Sequence, residues 1–206
     1  MAQANRDGVA PNPSRAQRFN DLRGKVMGRA PTKKQLSLSA LSDGMPAITP
    51  AHGQMLAEAA AVCLELKTHR PGVGFAKAGL MTEDLLLRWE AVTEQARLCY
   101  ADKPEATEWG AAAIAILFVR EVTGMAVMQR SVKGTGFDYW VGDEDNELIF
   151  QGLSRLEVSG ILAGTPAQIA ARIAQKKKQM DPSDDNGPGL VAVIEFGTPV
   201  AHVESK

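Results

Sequence analysis

Two acids interrupt a stretch otherwise made of strand-forming residues. In KGTGFDYWVGDEDNELIFQGLSRLEVSG, residues 133–160, Asp138 sits in the aromatic run GFDYWVG and Glu157 in the alternating run SRLEVSGIL. Antiparallel neighbours run about 5 Å apart, so with the polar turn at 143–147 between them the two side chains can become lateral neighbours. A buried carboxylate is costly unless something pairs with it. Two carboxylates side by side also repel each other, and the usual remedies are a shared proton or a bound divalent cation. The bland alternatives are that Asp138 simply terminates a strand edge or accepts backbone hydrogen bonds from the Gly134–Gly136 turn, and that Glu157 pairs with Arg155 or Arg130 across the sheet.

The elements that must position these acids follow from periodicity. PAHGQMLAEAAAVCLELKTH predicts a helix, with proline suiting its first turn and apolar residues returning every three or four positions. RPGVGFAKAG breaks it, and TEDLLLRWEAVTEQARLCY predicts a second helix capped by Thr82. TEWGAAAIAILFVREVTG predicts a third, apolar nearly all round and therefore central, stopped by Gly124. The period then changes to two. MAVMQRS, GFDYWVG and SRLEVSGIL predict three strands, and GTPAQIAARIAQKKKQM an amphipathic helix opened by a capping box at Thr165 and Gln168. DPSDDNGPG predicts a loop, LVAVIEFG a fully buried strand, and the terminal TPVAHVESK an extension of that strand or an exposed edge. The order helix, three strands, helix, strand makes an α/β sandwich: a meander, then a crossover helix leading to a further strand of a mixed sheet.

Composition bounds the class. The chain has 206 residues and 45% hydrophobic content, enough for one domain with a real core. No run approaches the roughly 18 apolar residues of a membrane helix, and the N-terminus carries no apolar run of a secretory signal, so a cytoplasmic protein without membrane partners is expected. Cys63 and Cys99 lack metal-ligand spacing and are expected as buried free thiols, and His52, His69 and His202 likewise show no ligand spacing. Residues 1–34 hold eight basic side chains against Asp7 and Asp21, a balance of +6, which leaves −7 for the remainder of a chain whose net charge is −1. Residues 1–49 are therefore expected to be a basic, largely irregular and flexible arm. Residues 50–206 would form a single α/β domain, with a helical front part at 50–100 and the core at 106–206. Arg15, Arg18, Arg23, Lys25, Arg29, Lys33 and Lys34 on the arm are candidate nucleic-acid contacts, each phosphate neutralised releasing counterions; a plain solvated tail or a subunit-contacting arm is the other reading. Lys133 in KGTG is a further candidate, since such a turn brings backbone close to a phosphate.

The pattern GFDYW, then LEVSG 19 residues on from acid to acid, in an αβββαβ order, resembles the PD-(D/E)xK nuclease superfamily, the restriction-endonuclease-like fold. The resemblance implies a Mg²⁺-dependent (or Mn²⁺-dependent) phosphodiesterase core in which Asp138 and Glu157 hold the metal with a backbone carbonyl such as that of Val158. A lysine two residues after the second acid is the family's pattern, and this chain has Ser159 there. Family members can draw that lysine from the following helix instead, which singles out Lys176 and Lys177, although QKKKQ also reads as a basic last turn complementing the helix dipole. The family's glutamate on the first core helix would correspond to Glu108. The implied function is a nuclease acting on DNA in preference to RNA, as a homo-oligomer or a subunit of a defence or repair assembly. The alternative is a catalytically inactive relative serving as a structural or interaction subunit.

Overall fold

The computed structural model describes residues 34–81, 83–145 and 152–206. Eight described strands form one mixed sheet: β1 (Lys34–Ser37), β2 (Val73–Gly79), β3 (Leu85–Arg88), β4 (Ala126–Arg130), β5 (Tyr139–Gly142), β6 (Ser154–Ile161), β7 (Gly189–Glu195) and β8 (Val200–Ser205), in the spatial order β1-β3-β2-β8-β7-β6-β5-β4. The helices are α1 (Pro50–Leu66), α2 (Glu94–Cys99), α3 (Lys103–Thr123) and α4 (Pro166–Gln179), with 3-10 turns at Leu38–Asp43 and Asp181–Asn186.

From α3 onward the order is the expected helix, three strands, helix, strand. β4, β5 and β6 pair antiparallel as a meander, and α4 carries the chain over to β7, which lies parallel to β6. Local chemistry sets the helix ends. Asp102 caps α3 by accepting the Glu105 amide, and Gly124 stops it in the left-handed region at φ 73°. Thr165 and Gln168 form the capping box that opens α4.

β7 is buried along its whole length because both of its faces are covered. Leu190, Ala192 and Ile194 join the large core shared with α3 and α1, while Val191 and Val193 join a smaller one with Ile169 and Ile173 of α4. Strand alternation therefore places α3 and α4 on opposite sides of the sheet. On β6, Leu156 and Val158 belong to the α3 side, which leaves Arg155, Glu157 and Ser159 facing α4. Gly160 is fixed by this packing, since a Cβ there would lie 2.5 Å from the Thr107 carbonyl oxygen.

Several expectations fail in the front half and at the tail. Residues 34–49 do not belong to an irregular arm: β1 pairs with β3, and Leu38, Leu41 and Ile48 are core residues, so a boundary at 49 falls inside the folded body. Over residues 83–100 the expected helix is instead β3 followed by α2, and its expected cap, Thr82, lies outside the described residues. Leu85, Leu87 and Trp89 are buried at spacing two, a pattern that the denser leucine run let pass for a helical stripe. The break after α1 contains β2, which pairs antiparallel with β3. The terminal segment forms β8, an inner strand flanked by β7 and β2. The loop expected at 181–189 begins as a 3-10 turn, and of the two thiols expected to be buried Cys63 is buried while Cys99, at the end of α2, is exposed. No described helix is long and apolar enough to cross a membrane. Arg15, Arg18, Arg23, Lys25, Arg29 and Lys33 lie outside the described residues.

Candidate metal centre

Asp138 ends the connection between β4 and β5 and is anchored at three points. Its amide donates to the Leu156 carbonyl at 2.9 Å, its carbonyl accepts from Ser131 at 2.8 Å, and its Oδ2 accepts from the Val158 amide at 2.8 Å. Tyr139 lies opposite Leu156 in the β5–β6 register, so Asp138 continues that register opposite Glu157. The two acids share the sheet face under α4. The alternative reading of Asp138, as acceptor for the Gly134–Gly136 turn, gives way to this bond with Val158.

Glu157 is 1% exposed. Its Oε1 accepts from Lys176 Nζ at 2.5 Å and Gln179 Nε2 at 3.0 Å. Its Oε2 is buried and has no hydrogen-bond partner among the described residues. Burial first, and then the Asp138 charge, push the Glu157 carboxyl up to about 7, with Lys176 acting the other way. Glu195, equally buried, shows the contrast: its oxygens accept the amides of Gly164, Gly197 and Thr198, so it is a satisfied structural carboxylate.

Helix α4 supplies the polar lid. Arg172, Lys176 and Gln179, spaced four and three apart, lie on one stripe and meet Ser159, Glu157 and the end of the β4–β5 connection respectively. Arg172 Nη1 donates to Ser159 Oγ at 2.7 Å, and Gln179 Nε2 also reaches the Gly136 carbonyl at 3.4 Å. The approach at Gly136 needs glycine, because φ is 83° and a Cβ would lie 2.5 Å from the Gln179 carbonyl oxygen. Arg155, 2% exposed, does not pair with Glu157. It binds the carbonyls of Gly187 and Met180, Ser183 Oγ and Asp184 Oδ1, fastening the 3-10 turn that follows α4. Arg130 stands over the Tyr139 ring at 5.8 Å.

The expected site residues separate accordingly. Asp138, Glu157, the Val158 backbone and Lys176 come together. Lys177 does not join them: it pairs with Glu204 of β8 at 2.5 Å, because one step around the helix turns it toward the neighbouring strand. Glu108 is exposed on α3, which covers the other face of the sheet, and no hydrogen bond or ion pair joins it to either acid. Burial pushes the Tyr139 hydroxyl up to about 12, with Arg130 opposing and the charges of Asp138 and, least, Glu108 adding to it. Lys133 is exposed in the β4–β5 connection, and Lys34 is paired with Glu121. Arg172 and Gln179 are the residues sequence reasoning missed, although the stripe formed with Lys176 was readable from the helix period. A separate cleft of about 330 Å³, lined by Leu38, Glu58, Trp89 and Val92 among others, involves none of these residues.

A divalent cation fits what is present. The Glu157 carboxyl, whose Oε2 has no hydrogen-bond partner among the described residues, is close enough to Asp138 to feel its charge, and hard oxygen donors of this kind suit Mg²⁺ or Mn²⁺. Within a strand the N–H and C=O of one residue leave by the same edge, so the Val158 carbonyl faces the edge its amide shares with Asp138. Among the described residues no group of three or more His, Cys, Asp or Glu side chains gathers to hold a metal, so water and substrate oxygens would complete the shell. No family model, curated protein or solved structure matches the chain.

Proposed function

We propose that the protein is a Mg²⁺- or Mn²⁺-dependent nuclease that hydrolyses phosphodiester bonds of DNA at the Asp138–Glu157 site, on a restriction-endonuclease-like αβββαβ core. The observation that carries the reading is Glu157: one oxygen bound by Lys176, the other buried and unpartnered among the described residues, and the carboxyl as a whole held up by the charge of Asp138 opposite it. Asp138, Glu157 Oε2 and the Val158 carbonyl would hold the cation. Bound there, it would lower the pKa of a coordinated water and neutralise charge on the scissile phosphate. With its carboxyl pushed up to about 7, Glu157 would have to release a proton to serve as a ligand, so loading would be coupled to proton release. Lys176 keeps its ammonium at the acid pair and offsets negative charge growing on the phosphate oxygens. Gln179 fixes the same Glu157 oxygen and holds the carboxylate plane. Assembly with further copies or with a protein partner belongs to this reading too, because the −7 balance outside residues 1–34 makes a poor solo binder of a polyanion.

A second reading, a non-catalytic interaction module on the same core, is favoured by one observation: the position two residues after Glu157 is Ser159, engaged by Arg172. Titration of the purified chain with Mn²⁺, followed by incubation with plasmid and with RNA, separates the two. Saturable binding and cleavage that Asp138→Ala and Glu157→Ala abolish are expected; a protein that neither binds the cation nor cleaves removes the nuclease reading.

A further inference from the structure

Most cations around α4 are matched to acids. Lys176 is paired with Glu157, Lys177 with Glu204, Arg155 with Asp184, and Lys206 with Asp181 and Asp184. Two cations of α4 make no ion pair among the described residues: Lys178, which is exposed, and Arg172, which is half-buried on the same helix stripe as Lys176. The one hydrogen bond Arg172 makes among the described residues is to a neutral hydroxyl, Ser159 Oγ, at 2.7 Å. A guanidinium carries five N–H donors in a rigid planar fork. Ser159 takes one of them and fixes the side chain's direction.

We infer that Arg172 is a substrate-phosphate contact of this site, aimed by Ser159 so that its remaining donors meet the non-bridging oxygens of a DNA phosphate next to the Asp138–Glu157 pair. The inference rests on the nuclease reading for its substrate. Three features support it. Ser159 and Glu157 are two residues apart on the α4 side of β6, so the guanidinium stands one strand step from the acid pair. One helical turn separates Arg172 from Lys176, which already touches Glu157. The geometry of the fork matches phosphate oxygens in pairs, which a lysine ammonium cannot do. Serine at position 159 is then the part that seats the arginine. An arginine stays protonated under all ordinary conditions, so its role is to bind and orient, and it takes no proton from the attacking water.

The test uses the full chain with wild-type, Arg172→Gln, Arg172→Lys and Ser159→Ala proteins, and a fluorescent duplex DNA oligonucleotide. Affinity is measured over a range of KCl concentrations in Ca²⁺, and Mn²⁺ binding is measured separately by calorimetry. For Arg172→Gln the expected results are DNA binding weakened roughly tenfold or more and a log–log salt slope smaller by about one phosphate's share, roughly 0.9. Mn²⁺ affinity should stay within about twofold of wild type. Arg172→Lys should recover the slope but only part of the affinity, and Ser159→Ala should weaken binding while leaving the slope intact. A slope unchanged in Arg172→Gln overturns the inference, whether or not the wild type cleaves. A wild type that cleaves nothing and binds no Mn²⁺, yet loses that slope share on Arg172→Gln, keeps the phosphate contact and removes the nuclease reading.

Discussion

Asp138, the residue just before β5, accepts the Val158 amide of β6 on its carboxylate at 2.8 Å. That bond makes the acid part of the sheet. It also fixes the Asp138 carboxylate at the edge of β6 one residue from Glu157, so the repulsion between the two acids cannot be relieved by swinging Asp138 into solvent. The stress falls on Glu157, whose carboxyl is pushed up to about 7 by burial and by this neighbour. A proton or a cation must then hold the pair together.

Asp138→Asn separates charge from structure. Asparagine keeps an oxygen to accept from Val158, so stability should change little, while Asp138→Ala loses that acceptor and should cost about 1–2 kcal/mol in urea unfolding. Without the Asp138 charge, Glu157 should titrate lower than in the wild type, visible by carboxyl-labelled NMR. Mn²⁺ affinity should fall more than about tenfold in both variants. An Asp138→Asn protein that binds Mn²⁺ as the wild type does would exclude Asp138 as a ligand.

Glu157 gives stability a definite pH dependence. An unperturbed glutamate titrates near 4.5 and Glu157 near 7 when folded, so between those values the folded chain binds the extra proton. The contribution is therefore complete below about 4.5 and is lost as pH rises through about 7, each unit of difference being worth about 1.4 kcal/mol. Asp184 and Glu204, held low by Lys206 and Lys177, lie below that window; His52, lowered by burial, can titrate within it in the opposite sense. Comparing thermal unfolding of wild type and Glu157→Gln from pH 5 to pH 8 cancels what the other groups contribute. The wild type should lose more stability over that range than the variant, and saturating Mg²⁺ at pH 8 should restore much of the difference. Parallel curves would mean that Glu157 titrates normally.

The part of the chain that carries the site was the most readable, because its signals were exclusive. A switch from a 3.6 to a 2 period after Gly124, a capping box at Thr165, and an apolar run too short for a helix at 190–196 each allowed one reading. β3 was hidden because Leu85, Leu86 and Leu87 satisfy either period, and burial of alternate residues emerges only once β1 and β2 flank it. β8 was hidden for a related reason: its polar His202 and Glu204 alternate with Ala201 and Val203 as on an edge strand, yet Lys177 from α4 covers Glu204. At the site, the acids and Lys176 were visible as residue types. The choice between Lys176 and Lys177 turned on which neighbouring strand held an acid, and that is a property of the sheet order, which the run of three lysines does not encode.

Lys176 and Lys177 should accordingly behave differently. Lys176→Met leaves Glu157 without its cation in a buried place, the situation in which breaking a pair costs about 3–5 kcal/mol, and the loss should be larger at pH 8 than at pH 5. Adding Glu157→Gln to it should recover much of the stability, since no uncompensated charge then remains. Lys177→Met removes a partly exposed pair with Glu204 and should cost under about 1 kcal/mol at either pH. Guanidinium unfolding of the four proteins reads this directly, and equal effects for the two lysines would contradict the placement of Lys176.

Two glycines in the KGTG turn offer the last discrimination. Gly134 and Gly136 both have positive φ, 98° and 83°, so alanine should strain either by about 1 kcal/mol. Around Gly134 there is open space. At Gly136 a Cβ meets the Gln179 carbonyl oxygen at 2.5 Å, a backbone atom that cannot rotate away, so Gly136→Ala must push the end of α4 off the sheet. The stability loss should then exceed that of Gly134→Ala by about 1–3 kcal/mol. Because Gln179 and Lys176 ride on that last turn, the displacement should also loosen their hold on Glu157 and lower Mn²⁺ affinity, which Gly134→Ala should leave at the wild-type value. If the two alanine variants bind Mn²⁺ equally well, the end of α4 is not what holds the acid pair in position.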